Sequence, residues 1–307
     1  MEKYIEKFWA EIRSVPKAKN IKKLTKGFSA DSKFLIQAER EKYLLCFADK
    51  QDYEKKRRQF RLLKKMIEMG VRAPIPVEVG LLDDRKSCYS IYSFLEGEDA
   101  REEIPHLSEQ NQFVVGEAAG KQLAKIHNLR APEHIGSWHD RSIAKHYKYL
   151  NAYWETGVKI KNEQQIIDFI EEHKHLLKDR PNRFQHDDFH LENIILNNGK
   201  LAGIIDFDNY DWGDPYHDFV KMGLFQRETS IPFAIGQLEG YFHGKIPDDF
   251  WTLYAVYLAM AMFSSVVWTV RFSPENLEQM LKRLMTVQQE HHYFNLVKPV
   301  WYTNRLI

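Results

Sequence analysis

His186-Asp187-Asp188-Phe189-His190-Leu191-Glu192-Asn193, followed after a short gap by Ile204-Ile205-Asp206-Phe207-Asp208, decides how this chain is read. Between the two stretches, the apolar runs Ile194-Ile195-Leu196 and Leu201-Ala202-Gly203-Ile204-Ile205 flank Asn197-Asn198-Gly199-Lys200. Asn-Gly between such runs predicts a two-residue hairpin, because both central positions need positive φ. With Asn198-Gly199 as the loop, residue 197 faces 200 and residue 193 faces 204. Side chains alternate along a strand, so Asn193, Ile204 and Asp206 are expected on one face. Asn193 and Asp206 then become diagonal neighbours that reach one cation. Two oxygen donors that leave room for phosphate oxygens and water suit Mg²⁺ held with a nucleotide. A slip of one residue would separate them.

Asp188 stands five residues before Asn193, in the loop that enters the hairpin. A carboxylate there is placed to accept a hydroxyl proton while the oxygen attacks a γ-phosphate. Asp187, Asp208 and Asp211 are read as ordinary turn or supporting residues. His186 is expected to orient the loop by hydrogen bonding, and His190 to be a partly exposed histidine.

The pattern H-x-D-[hydrophobic]-x-x-x-N followed by hydrophobic-Asp-Phe resembles the catalytic loop and metal motif of kinases. More specifically, the chain resembles the aminoglycoside phosphotransferase family of small-molecule kinases. Gly213-Asp214-Pro215-Tyr216-His217-Asp218-Phe219 matches that family's Gly-Asp-Pro-x-x-Asp segment, and Gly120-Lys121-Gln122-Leu123-Ala124-Lys125-Ile126-His127 its helix ending in Leu/Ile-His. The likeness covers roughly residues 20 to 270 and is most specific from 184 to 219. It implies an α+β, protein-kinase-like bilobal fold, with a small β-sheet-plus-helix N-lobe over 1–95 for nucleotide and a larger, mainly helical C-lobe over 96–307 for catalysis and acceptor. It implies ATP or GTP as co-substrate, Mg²⁺ on Asn193 and Asp206, and Asp188 as the base. The expected acceptor is a small hydroxylated polar molecule, with an aminoglycoside-like antibiotic or amino sugar favoured.

In the small lobe the likeness assigns nucleotide contacts by position. The turn Lys26-Gly27-Phe28-Ser29-Ala30-Asp31-Ser32-Lys33 stands where phosphates would be covered, with backbone N–H groups near Ser29 and Ala30. Ser93-Phe94-Leu95 stands at the hinge, so Ser93 and Leu95 are expected beside the base. Cys46 occupies the strand position where the family has a phosphate-binding lysine or arginine, and Gln59, with Glu54 as the other candidate, the helix position that pairs with it. A neutral pair there is compatible with a stable fold but removes a positive group from the phosphates. Lys33, Lys42 and Lys50 are other possible sources of charge. Two further readings follow: a kinase-like nucleotide-binding module with little transfer, prompted by Cys46 and Gln59, and a metal-dependent phosphohydrolase, prompted by His186-Asp187 and His190, with His127 and Asp218 as further ligands.

Composition bounds the class. The 307 residues are 44% hydrophobic and 28% charged, ordinary for a folded soluble protein, and 44 Lys+Arg against 43 Asp+Glu leave a charge of +1. No nucleic-acid, membrane or obligate protein partner is expected. Cys46 and Cys88 are too few for a disulfide framework, and Met1-Glu2-Lys3-Tyr4-Ile5-Glu6 lacks the apolar core of a signal peptide, so a cytoplasmic setting is expected. Phe250 to Val270 carries no charged residue and is long enough to span a bilayer, but its polar residues favour a buried helix. Helices are expected over 3–14 and 51–70, the latter capped by Gly70, and strands over 24–37, 42–48, 77–82 and 88–94. Lys55-Lys56-Arg57-Arg58 and Lys64-Lys65 are read as a solvated face opposite Phe60, Leu63 and Ile67. Beyond Gly97 nearly everything apart from the hairpin reads as helix.

Overall fold

The computed structural model describes residues 2–12, 14–24, 31–82 and 86–303. Residues 26–30 of the proposed phosphate turn, including Ser29 and Ala30, lie outside the described residues. Contacts divide the chain into two units: Met1–Glu98 with Ile195–Asn198 and Ala202–Asp208, and Asp99–Ile194 with Gly199–Leu201 and Asn209–Ile307.

The first unit is a five-stranded antiparallel sheet, ordered β1-β2-β3-β5-β4, with two helices. Its strands are β1 (Asn20–Leu24), β2 (Ser32–Gln37), β3 (Lys42–Asp49), β4 (Pro76–Leu81) and β5 (Ser87–Ser93). Helix α1 (Glu2–Glu11) carries Ile5 and Trp9 one turn apart, and they pack on Phe34, Ile36, Tyr43, Leu45 and Ile91. Alternation puts the intervening β2 and β3 side chains, among them Lys33 and Cys46, on the other sheet face.

Helix α2 (Tyr53–Glu68) buries Lys56, Gln59, Phe60, Leu63 and Met66, a stripe at three- and four-residue spacing. Lys56 is therefore not on the solvated face to which its basic run assigns it. Gly70, at φ 77°, closes the helix as expected: its N–H donates to Ile67 and that of Val71 to Met66.

The hairpin forms at the predicted turn. Strands β8 (Ile194–Asn197) and β9 (Lys200–Ile204) are joined by Asn198 and Gly199, both at positive φ (51° and 70°). They share a three-stranded sheet with β6 (Glu98–Asp99).

The second unit is mainly helical. Its helices are α3 (Ala100–Glu103), α4 (Glu109–Ile126), α5 (Trp138–Glu155), α6 (Glu163–His173), α7 (Arg227–Thr229), α8 (Ile231–Phe242), α9 (Phe250–Phe272), α10 (Leu277–Glu290) and α11 (Val300–Thr303). Helices α4 and α8 approach so closely that a Cβ on Gly116, Gly120, Gly236 or Gly240 would fall 2.0 to 2.2 Å from a carbonyl oxygen of the facing helix. Only glycine fits those crossing points. Helix α9 is long and apolar enough to cross a membrane, yet 67% of its most apolar window is buried within the protein, the core-helix reading.

Some strands were not expected: most of β1, the two-residue β6, and a further pair in the second unit. The three-residue strands β7 (Arg183–Gln185) and β10 (Asp211–Gly213) pair antiparallel, Gln185 opposite Asp211 and Arg183 opposite Gly213. They brace the loop that begins at His186.

Candidate active site

Asp218 anchors this loop in the second unit. Fully buried, its carboxylate accepts hydrogen bonds from the backbone N–H groups of His186 (2.7 Å) and Asp187 (2.8 Å) and stands 2.9 Å from His127 Nε2. His127 in turn lies 2.8 Å, through Nδ1, from the Tyr241 hydroxyl. Burial pushes the Asp218 carboxyl up, but the His127 contacts outweigh it and hold it below the usual carboxylate range. Beside it Asp214 is equally buried and accepts from Arg180 Nε (2.6 Å) and Nη2 (3.1 Å), the Tyr257 hydroxyl (2.8 Å) and the Tyr216 N–H (3.1 Å). The Gly-Asp-Pro-x-x-Asp segment thus supplies two carboxylates that tie β10 and the loop to the helices.

With its N–H fixed, Asp187 takes φ 61°, a left-handed conformation that a non-glycine residue holds only where its surroundings impose it. Asp188 follows, its side chain 30% exposed, with Lys221 Nζ 2.9 Å from one oxygen and His190 Nε2 3.3 Å from the other. Asn193 Nδ2 donates to the same Oδ2 (3.2 Å) and to the Asp188 carbonyl (2.9 Å). His190 Nδ1 accepts the Glu192 N–H at 3.2 Å, so in the neutral ring Nε2 carries the proton and donates to Asp188. His190 is thus a brace for Asp188 rather than a bystander. Burial pulls the Asp188 carboxyl upward, but His190 and Lys221 outweigh it and hold the group well below the ordinary range. The result is an ionised, oriented, solvent-accessible carboxylate.

In the first unit, Asp206 and Asp208 follow the end of β9. Asp206 adopts φ 64°, the second non-glycine residue of the quoted stretches in the left-handed region. The Asp208 carbonyl accepts from Gln59 Nε2 (3.2 Å), and its carboxylate lies 3.4 Å from Lys56 Nζ.

The alternation argument for Asn193 and Asp206 does not hold at these positions. Neither residue is in a strand: Asn193 ends the 3-10 turn Leu191–Asn193, and Asp206 lies past Ile204. Loop conformation, not strand pleat, sets both side chains.

Comparison with known proteins identifies what kind of enzyme carries this loop. The model of the phosphotransferase enzyme family matches residues 20–255. The chain belongs to that family. No curated protein matches it by sequence. Among solved structures, its fold is similar to that of a thermostable mutant of aminoglycoside phosphotransferase APH(4)-Ia, with TM-score 0.67, 15% identity, and 94% of this chain and 98% of that one covered. It is similar also to ADP-bound aminoglycoside phosphotransferase APH(2'')-Ib, with TM-score 0.62, 18% identity and coverages of 94% and 98%. A GDP complex of an aminoglycoside 2'-phosphotransferase gives TM-score 0.69, 14% identity and coverages of 95% and 97%. The fold is therefore the kinase-like α+β fold expected, and the protein is a phosphotransferase.

For this phosphotransferase the remaining expected positions fall as follows. Cys46 is buried on β3 between Lys33 of β2 and Ser90 of β5 in register. Burial pushes its thiol up to about 12, so it is neutral at physiological pH and no nucleophile. Ser93 commits its N–H to the Ile75 carbonyl (2.8 Å) and its hydroxyl to the Ile75 N–H (2.7 Å). Leu95 packs toward the hairpin, its Cδ1 2.7 Å from where a Cβ on Gly203 would lie.

Two of the imidazoles named by the metal-dependent phosphohydrolase reading are already engaged. His127 spends both ring nitrogens on Asp218 and Tyr241, and His190 both of its own on Glu192 and Asp188. Asp187, His217 and Asp218 form a trio of metal-capable groups, with ligand atoms within 4.8 Å of one another. The Asp218 oxygens, however, already face three donors.

Sequence reasoning missed Lys221 and Lys56. Lys221 carried no signal beyond its distance of three residues from Asp218. Lys56 did carry one: it is four residues before Phe60 and seven before Leu63, on the apolar stripe itself.

Lys221→Met is expected to let the Asp188 carboxyl rise toward its ordinary value, because an adjacent cation lowers a carboxylate by roughly 1–3 units. The acid limb of kcat/KM against pH should move upward by about one unit. A limb that stays where the wild-type limb lies would show that Lys221 does not hold Asp188 ionised.

Proposed function

We propose that this phosphotransferase moves the γ-phosphoryl group of ATP or GTP to a hydroxyl of a small polar molecule, with aminoglycoside-type amino sugars the first acceptor class. The observation that carries the reading is the Asp188 carboxylate, held charged by Lys221 and His190 and oriented by Asn193 on a loop fixed by Asp218. Asp188 would accept the acceptor's proton as its oxygen attacks, the loop supplying position and charge rather than covalent chemistry.

Asn193 and Asp206 are the proposed Mg²⁺ ligands. The donor chemistry fits: the Asn193 amide nitrogen is spent on Asp188, which leaves the amide oxygen as its ligand atom, and Asp206 adds a carboxylate, both hard oxygen donors. When bound, Mg²⁺ would neutralise charge on the β- and γ-phosphates. Ser29 and Ala30 are proposed for the phosphates, and Leu95, with Ser93 beside it, for the base; Cys46 would line the site as a neutral neighbour.

The amino-sugar class is supported by relatives of the same fold: one structure holds ADP and hygromycin B, another gentamicin. We place the enzyme in the cytoplasm, where nucleotide is available and where Cys46 and Cys88 remain thiols. The test is ATP and GTP consumption, with and without Mg²⁺, across aminoglycosides, other amino sugars and neutral polyols, the product identified by mass. Mg²⁺-dependent phosphorylation of at least one hydroxyl compound is expected. Nucleotide binding with no turnover on any acceptor would favour the kinase-like binding module instead.

A further inference from the structure

We propose that Lys56, on helix α2, supplies the positive charge for the nucleotide's α- and β-phosphates that the family resemblance assigns to the third strand; this rests on the kinase reading above. Position 46 cannot provide it, because a buried, neutral thiol stands there.

Lys56 is a buried ammonium, its side chain 8% exposed, 2.6 Å from Asp31 and 3.4 Å from Asp208. Taking an ammonium out of water is costly unless it is well paired, and an apolar residue on the same stripe would pack with no such cost. Packing alone therefore does not explain a lysine here. Burial pulls its pKa down, but the charge of Asp208 and the hydrogen bond to Asp31 outweigh it, so the group stays charged.

Its surroundings are the argument for phosphate. Asp31 belongs to the turn proposed to cover the phosphates, Asp208 lies two residues past the proposed metal ligand Asp206, and the charges acting on Cys46 include Lys33, Asp31, Lys56 and Asp208. One ammonium thus stands among the three elements that the resemblance assigns to phosphate, cation and metal. It faces two carboxylates, with which a bound phosphate would compete for the ammonium. We infer that a phosphate oxygen takes the place of Asp31. Gln59, one turn on, fixes the Asp208 carbonyl and thereby the second partner.

The other lysines fit less well. Lys42 pairs with Glu96 at 2.9 Å at the opposite end of β3, and Lys50 is exposed. Lys33 lies opposite Cys46 on β2, partly exposed, and is the competing assignment.

The experiment is calorimetric titration of Mg-ADP and of adenosine (or Mg-GDP and guanosine, whichever base the wild type prefers) into wild type, Lys56→Met and Lys33→Met. Lys56→Met is expected to weaken the diphosphate about tenfold or more with nucleoside affinity unchanged, and Lys33→Met to leave both near wild type. Lys56→Met/Asp31→Asn removes the cation with one of its acids and should show the same selective loss if the single variant folds poorly. Adding Cys46→Lys and Gln59→Glu to Lys56→Met should recover part of the diphosphate affinity, which a purely structural Lys56 would not allow. A wild-type ratio of diphosphate to nucleoside affinity in folded Lys56→Met or in the double variant overturns the assignment, as does a selective loss in Lys33→Met alone. If wild type binds neither nucleotide, the kinase reading falls and this inference with it.

Discussion

Asp188→Asn is expected to lower kcat by about 10²–10⁴, the usual contribution of a positioned general base, with the affinity for Mg-nucleotide nearly unchanged. The substitution keeps the shape of the side chain and one oxygen for His190, and removes only the capacity to take a proton. Lys221, partly exposed, can turn to water when its partner becomes neutral. The depressed pKa gives the sign of the effect on stability. An ionised Asp188 contributes stability above its unfolded value near 4, and that contribution is lost as pH falls through the lower folded value. At neutral pH the variant should therefore melt slightly lower than wild type, the difference shrinking in acid. Turnover at the wild-type rate in a correctly folded Asp188→Asn protein would remove the base from this position, and with it the proposed mechanism.

What the sequence made legible was local chemistry. Asn198-Gly199 announced its turn because few residues take positive φ twice in succession, and both positions do so. Alternating apolar residues marked β2 and β3, whereas β1, Asn-Ile-Lys-Lys-Leu, is an edge strand with too little apolar pattern to show its start. The β7–β10 pair escaped because three residues are fewer than one full cycle of any periodicity. Lys56 escaped for a different reason: a stripe drawn only through apolar residues passes over a buried charge, although the spacing to Phe60 and Leu63 contained it. Asn193 and Asp206 were recognisable by motif, but the strand geometry used to join them ended before either residue. Their side-chain directions come from loop torsions, which no periodicity encodes.

Asp218→Ala is expected to be the most destabilising change at this site, although the residue touches neither proton nor phosphate in the proposed reaction. Its buried carboxylate satisfies two backbone N–H groups and faces the buried His127. Removing the carboxylate leaves two backbone N–H groups and His127 without their acceptor, at roughly 1–3 kcal/mol for each buried donor left unsatisfied. For a protein of this size each kcal/mol corresponds to about 2–4 °C, so Tm should fall by about 6 °C or more. The folded carboxyl lies below its ordinary value, so this stability is present above pH ~4, where the unfolded group also ionises, and is lost in stronger acid. The gap between variant and wild type should accordingly hold steady from pH 6 to 8. Activity should fall at temperatures where the variant is still folded, because the Asp218 carboxylate bonds the two amides that lead into left-handed Asp187 and Asp188. That loss should appear in kcat more than in nucleotide affinity, whereas Asp188→Asn loses kcat with little change in Tm. A variant at 218 with wild-type Tm would mean the loop holds its shape without this carboxylate, and its own Asp187 torsion would then have to be explained by the chain on either side.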